Sequence, residues 1–195
     1  YFFFKHSAYI SLAIAILITF SFLNQKILTK FSLILFLIAF LSLLLVPFLG
    51  IEVKGSKRWL DLIFLPRFQP IEIVKPFFIV TLSFILTMQN RRLYFKYFLS
   101  TLYILPILML LIYQPDIGQT LLISMVWLAL IFISGINIFV FLIFFLFIGS
   151  TVSYLVLFVS KFEYIKIRLF AFLDSSSGNN YQAEKASDAI INGGF

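Results

Sequence analysis

The sequence predicts an all-α, polytopic integral membrane bundle of about six transmembrane helices, and three observations carry that prediction. Hydrophobic residues make up 62% of the 195-residue chain and charged residues only 12%. Mean hydropathy is +1.08 and 27 residues are Phe, a composition suited to lipid rather than water around the apolar surface. Six apolar runs, each of roughly the 17 to 25 residues needed to cross hydrocarbon, alternate with short polar segments. The chain contains no Cys, which excludes disulfides, thiolate nucleophiles and Cys-based metal sites. The lone His6 sits near an apolar start, where an interfacial position outweighs metal ligation.

The runs cover residues 7–24, 31–49, 71–89, 98–113, 118–134 and 137–159. The first two are joined by NQKILTK, a polar link with two lysines. Residues 50–76 (GIEVKGSKRWLDLIFLPRFQPIEIVKP) form the longest polar interruption before the C-terminal tail, and the rest of the chain is organised around them. They hold Lys54, Lys57, Arg58, Arg67 and Lys75, with Glu52, Asp61 and Glu72 among them. Ionisable groups are costly in hydrocarbon, so this segment needs water, partners or a task. Its Gly residues, with Pro66 and Pro70, break a helix and suit a re-entrant or surface loop. One reading is a headgroup anchor, with snorkelling Lys and Arg and Trp59 in the aromatic belt; the other is a loop over a ligand cavity.

Glu72 and Lys75, three apart at the start of the third run, can pair on one helix face. QNRRLYFK, with three cations and no acid, separates the third run from the fourth. The tight QPDIGQ corner precedes the fifth. Pro115 disfavours helix at Gln114 and Gly118 permits a sharp corner, so Asp116 lies at a broken helix end. It either caps the fifth helix or partners a basic residue of the long loop at a cavity wall. SGIN precedes the sixth run. Beyond it, 161–167 is mixed, 174–180 (DSSSGNN) is turn-rich, and 181–191 shows helical spacing of Ala and Ile. With no internal repeat, a single membrane domain over 1–195 is predicted.

The net charge of +7 calls for an anionic partner. Cations scattered through short loops, rather than gathered on one soluble face, argue against nucleic acid. Anionic membrane lipids or a lipid-linked phosphate fit better. HExxH, P-loop and GxSxG motifs are absent, which leaves metalloprotease, nucleotide-driven and serine-hydrolase chemistry without support. Both sets of loops carry Lys and Arg, so the positive-inside rule only leans towards a cytoplasmic QNRRLYFK.

Four ordered motifs resemble the SEDS (shape, elongation, division and sporulation) family, the FtsW/RodA/SpoVE membrane glycosyltransferases. GSKRW at 55–59 is similar to the family's G-A-x-R-W, and FQPIEIVKP at 68–76 to F-Q-P-S-E-x-x-K, with Ile71 in place of Ser. QPDIGQT at 114–120 matches Q-P-D-x-G-T/Q-T. FLDSSSGNNYQ at 172–182, followed by INGG, resembles F-L-D-P-x-S-G-D-x-Y-Q and its trailing G-G. The Lys-Pro after the Glu, the GQT ending and the short DSSSGNNYQ spacing favour the FtsW-like branch. Ser175 replaces the Pro of the last motif, and Asn179 stands where this branch often has a second Asp.

The resemblance implies a polymerase of lipid II into peptidoglycan glycan strands during cell division, multi-pass in the bacterial cytoplasmic membrane and placed at the division septum. It implies a bundle of about ten spans, of which this chain holds the second to the seventh, the first and the last three lying outside it. It makes the long loop and the tail periplasmic. Asp174 takes the catalytic position as general base. Lys54, Lys57, Arg58, Trp59, Gln69, Glu72, Lys75 and Asp116 form the substrate-binding set, with Lys54, Lys57 and Arg58 set against the pyrophosphate and Glu72, Lys75 and Asp116 holding the cavity walls. Implied partners are lipid II and the growing glycan strand, a class B penicillin-binding transpeptidase with other division proteins, and membrane lipids. The resemblance makes no cofactor certain. A divalent cation, magnesium or manganese, fits beside a pyrophosphate, although the sequence offers no ligand cluster for one. Two alternatives share the same cationic cavity: a flippase or transporter of the lipid-linked precursor, and an inactive fragment or scaffold of the division complex.

Overall fold

The computed structural model describes residues 2–53, 56–62, 65–89, 91–173 and 181–193. The chain divides into two compact units, Tyr1–Ile136 and Asn137–Phe195. In the first, helices α1 (Phe2–Ser21) and α2 (Gln25–Leu49) lead into strands β1 (Ile51–Val53), β2 (Ser56–Leu62) and β3 (Leu65–Phe68). Helices α3 (Pro70–Thr87), α4 (Leu93–Tyr113) and α5 (Ile117–Ile133) follow. In the second unit, α6 (Ile138–Phe158) runs through a short 3₁₀ turn (Ser160–Phe162) into α7 (Glu163–Leu173), and α8 (Tyr181–Asn192) closes the order.

Five helices, α1 to α4 and α6, are long and apolar enough to span a membrane. The sixth expected span is α5, an apolar helix of 17 residues, at the lower limit of about 17 for crossing hydrocarbon. Three helices start a turn or more earlier than the sequence reading placed them, α1 at Phe2 rather than Ser7 among them. NQKILTK and the second half of QNRRLYFK were expected between spans, yet α2 begins at Gln25 and α4 at Leu93. Gln, Lys, Leu and Arg are good helix formers, and long basic side chains reach the headgroups from a helix as readily as from a loop.

The core of the first unit lies between α2, α3, α4 and α5. Leu43, Val46, Val74, Phe78, Leu82, Ile107, Leu111 and Ile131 are fully buried. Tyr103 of α4 sits between Phe36 of α2 (ring centroids 4.7 Å) and Phe78 of α3 (5.4 Å, planes 2° apart), so one aromatic stack ties three helices. Pro47, Pro76 and Pro106 lie inside helices. Neighbouring helices in a bundle support the backbone groups such prolines leave unpaired. None of the described residues of α1 or α6 is buried.

The segment expected as a re-entrant or surface loop is a three-stranded antiparallel meander in the order β1-β2-β3. Gly50 makes the transition from α2 possible: its N–H donates to the Val46 carbonyl (2.8 Å), and a Cβ there would collide with that same oxygen. The register of β1 with β2 slips, pairing Ile51 with Trp59 but Glu52 with Lys57, so Arg58 is the extra residue of a β-bulge. A second slip, between Leu60–Phe68 and Leu62–Leu65, places Pro66 and Arg67 in a bulge of the edge strand β3, a position where a missing N–H is tolerated. Leu60 is buried while Trp59 is exposed, the alternation expected of a sheet with one face on the bundle.

The meander joins the end of α2 to the start of α3, and α3 then crosses to the turn before α4. The sheet and the α3–α4 turn therefore lie at opposite ends of the first unit. Single cysteines at Ser56 and Tyr94, in the intact protein, are expected to react with a membrane-impermeant thiol reagent from opposite sides. Labelling of both from one side of sealed vesicles would contradict a spanning α3.

Candidate functional site

At the sheet end, two helix starts meet the bulge of β2. Pro70 occupies the first turn of α3, where its lack of an N–H costs nothing. Gln69 is the N-cap of that helix, but its side chain makes no cap bond. It donates instead from Nε2 to Oδ2 of Asp116, at 3.2 Å. Asp116 is the N-cap of α5: Oδ1 accepts from the Gln119 N–H at 3.4 Å. Its own carbonyl accepts from the Thr120 N–H (2.9 Å) and hydroxyl (2.8 Å).

The bulge aims Arg58 at the same corner, as bulges do when they redirect a side chain. Its Nη2 donates to the Pro115 carbonyl at 2.6 Å, and Nε lies 3.5 Å from Asp116 Oδ2. The Asp116 side chain is 9% exposed and that of Arg58 26%. A carboxylate this deep requires charge compensation and hydrogen bonds, and Arg58, Gln69 and the α5 backbone supply them. The two readings of Asp116, helix cap and partner to the long loop, are thus both realised by one side chain. Gly118, expected to turn a corner, lies within the first turn of α5, where a Cβ would meet only Asp116 Oδ1 at 3.9 Å.

A second pair stands beside this one. Lys75 Nζ lies 2.5 Å from Glu72 Oε2 across one turn of α3, the pairing their spacing predicted. Glu72 Oε1 in turn accepts from Gln119 Nε2 at 2.9 Å. The first turn of α5 therefore holds both cations: Asp116 fixes Arg58 directly, and Gln119 fixes Lys75 through Glu72. The N-terminal ends of α3 and α5, with their partial positive charge, face the same region.

Of the sequence-predicted set, Arg58, Gln69, Glu72, Lys75 and Asp116 come together here. Lys57 stands opposite Glu52 in the β1–β2 register, and Trp59 projects from the exposed side of the sheet. Lys54 and Asp174 lie outside the described residues. Gln114 and Gln119 were not singled out from the sequence. Gln114 is 4% exposed, and its Nε2, like Gln119 Oε1, is buried without a hydrogen-bond partner among the described residues. The i, i+3 spacing of Asp116 and Gln119 puts both in the first turn of one helix. The contact of Gln119 with Glu72, 47 positions away, leaves no local signal.

The carboxylates of the corner are committed to Arg58, Lys75 and amides. No group of three or more His, Cys, Asp or Glu that could hold a metal ion is present among the described residues.

The FtsW/RodA/SpoVE family, described as cell cycle proteins, matches residues 1–195. A probable peptidoglycan glycosyltransferase FtsW of Coxiella burnetii is 32% identical over 203 aligned positions, which cover 100% of this chain and 54% of that protein. The corresponding protein of Thiomonas intermedia is 32% identical over 84% of the chain and 41% of its own length. The chain thus spans about half the length of the curated relatives it matches. Among solved structures, the rod shape determining protein RodA of Thermus thermophilus superposes with a TM-score of 0.64 at 24% identity, over 76% of this chain and 49% of that one. A chain from a peptidoglycan synthase complex that coordinates polymerization and crosslinking superposes with a TM-score of 0.72 at 24% identity, over 96% and 56%.

Removing the Asp116 carboxylate should release the whole corner. Asp116→Ala is expected to lower stability by about 3 kcal/mol, through loss of the cap and of the partner to Arg58. Asp116→Asn, which can still cap α5 and accept from Gln69, is expected to cost about half as much. Thermal unfolding in detergent measures both, and equal effects would deny the carboxylate's charge a role.

Proposed function

The chain belongs to the FtsW/RodA/SpoVE family of cell cycle proteins, and from that premise we propose that the intact protein is a peptidoglycan glycosyltransferase that polymerises lipid II into glycan strands. The observation that supports this most is the corner itself. Three family motifs, 55–59, 68–76 and 114–120, converge on one network that fixes two cations beside two helix N-termini. Such a site suits a pyrophosphate anchored in a membrane, because oriented cations and backbone dipoles cost no reorganisation when charge develops.

In the proposed reaction, an acceptor sugar hydroxyl gives its proton to a base and its oxygen attacks the donor's anomeric carbon. The bond from that carbon to the lipid pyrophosphate breaks, and the leaving group departs with the electron pair. Arg58 offsets the growing charge, a task that suits a guanidinium's planar donors. Lys75 does the same as a point charge. Asp116 and Gln119 act through these cations as positioning residues, a narrower role for Asp116 than direct substrate contact. Asp174 is the base in this reading, assigned through its motif. The sheet end faces the periplasm, the protein works in the cytoplasmic membrane at the division septum, and its crosslinking partner is a transpeptidase.

The deciding experiment is glycan-strand synthesis from lipid II by the intact protein in detergent, with no membrane gradient. A flippase gives no strands there; a polymerase does.

Two variants refine the assignment. Arg58→Ala is expected to reduce lipid II use by about ten- to a hundredfold, through loss of charge-assisted contacts. Arg67→Ala should have little effect, because Arg67 pairs with exposed Asp61 at 2.7 Å, away from the corner. Equal small losses from both would leave these cations as headgroup anchors only.

Asp174→Asn keeps size and polarity but cannot accept the proton. Polymerisation should fall by about 10² to 10⁴ while lipid II binding persists. A variant that polymerises at near the wild-type rate would remove Asp174 from the chemistry.

A further inference from the structure

The acids of the first unit, Glu52, Asp61, Glu72 and Asp116, all lie in its sheet, in the first turn of α3 or at the start of α5. The opposite end carries Lys26, Lys30, Arg91, Arg92 and Lys96 with no carboxylate on the same segments. Lys26 and Lys30 are four apart on α2. Arg92, the N-cap of α4, is four before Lys96. Lys26 and Lys30, like charges at that spacing on one helix, repel each other, and no carboxylate on these segments offsets the charge.

The Phe36–Tyr103 contact sets the level of α2 against α4, which both start at this end. At about 1.5 Å per residue, Lys30 lies ~9 Å before Phe36 and Lys96 ~10 Å before Tyr103. Lys26 and Arg92 lie ~15 and ~16 Å before the same rings. The four cations therefore fall in two tiers, each with one member from each helix. Neither N-cap, Asn24 or Arg92, makes a side-chain cap bond, so the positive ends of both helix dipoles open on the same region. Arg91 adds a fifth charge, held 5.5 Å over the Phe95 ring.

From this juxtaposition we infer that the end of the first unit opposite the sheet binds the phosphate headgroups of acidic membrane phospholipids. The flanking residues select a lipid over a soluble anion. Tyr94 is 82% exposed, and Phe98 and Phe31 are exposed on the same helices, so rings and apolar spans put the cations at headgroup depth, where each basic residue gains from an anionic surface. This site is separate from the sheet-end corner and does not depend on the reaction proposed there.

The test offers the intact, folded protein in detergent an equimolar mixture of phosphatidylglycerol and phosphatidylcholine, and counts retained lipids by native mass spectrometry. Wild type is expected to retain phosphatidylglycerol preferentially. Lys30→Gln with Lys96→Gln, which empties one tier, should reduce that preference about ten- to thirtyfold. Arg67→Gln at the sheet end should leave it intact. No preference in the wild type, an undiminished preference in the double variant, or an equal loss in Arg67→Gln would each overturn the inference. So would displacement of bound lipid by a soluble polyglutamate peptide at stoichiometric concentration, which would identify an acidic protein segment as the occupant.

Discussion

The sheet end depends on burying one carboxylate. Asp116 is almost entirely removed from solvent, and an isolated ion in that position would cost several kcal/mol. The fold answers from three directions: the N-terminus of α5 caps one oxygen, while Gln69 and Arg58 approach the other. Each of those partners belongs to a different element, so satisfying the charge sets the start of α5 against the start of α3 and the bulge of β2. The bulge has a clear purpose here. In a regular ladder Arg58 would pair across from Glu52, whereas the slipped register gives that place to Lys57 and turns Arg58 towards α5. A surface strand is thereby locked onto a transmembrane bundle by a polar contact rather than by apolar packing alone.

That arrangement divides the loop's charges into two kinds. Arg67 and Asp61 pair with each other in the open, at 67% and 40% side-chain exposure, where an ion pair contributes little. Arg58 and Lys75 are held at 26% and 21%, partly dehydrated and oriented by groups that themselves have fixed positions. Only the second kind is pre-organised to meet an incoming anion. One loop therefore holds two environments for its cations, an open one at Arg67 and a half-buried one at Arg58.

How much of this was legible in the sequence follows from the range of each signal. Apolar runs announce spans because hydrocarbon thickness fixes their length, and α1 to α6 each correspond to one such run. The Glu72–Lys75 pair was legible because helical periodicity is local. The starts of α2 and α4 were misplaced because charge was taken to mark a loop, whereas lysine on a helix can reach the headgroups. The meander was missed for a related reason. Gly and Pro signalled only that the helix must break, and short strands such as Ile51–Val53 carry too few residues for an alternation to stand out. The links from Arg58 and Gln69 to Asp116, and from Glu72 to Gln119, join residues tens of positions apart, and only a resemblance could draw those motifs together beforehand.

The two ends of the first unit solve opposite electrostatic problems with the same residue types. At the sheet end, all four acids of the unit stand among the cations, and the strongest contacts are internal. At the other end no acid of the first unit is supplied, and acidic headgroups would provide the compensation. A uniformly basic protein would attract anions of every kind at both faces. Segregating the carboxylates leaves the end opposite the sheet to the lipid surface, and sets Arg58 and Lys75 at the sheet end against fixed partners. An anion that binds among those must replace or join existing partners, so geometry matters there more than net charge. The chain's +7 is thus less informative than where its acids are placed.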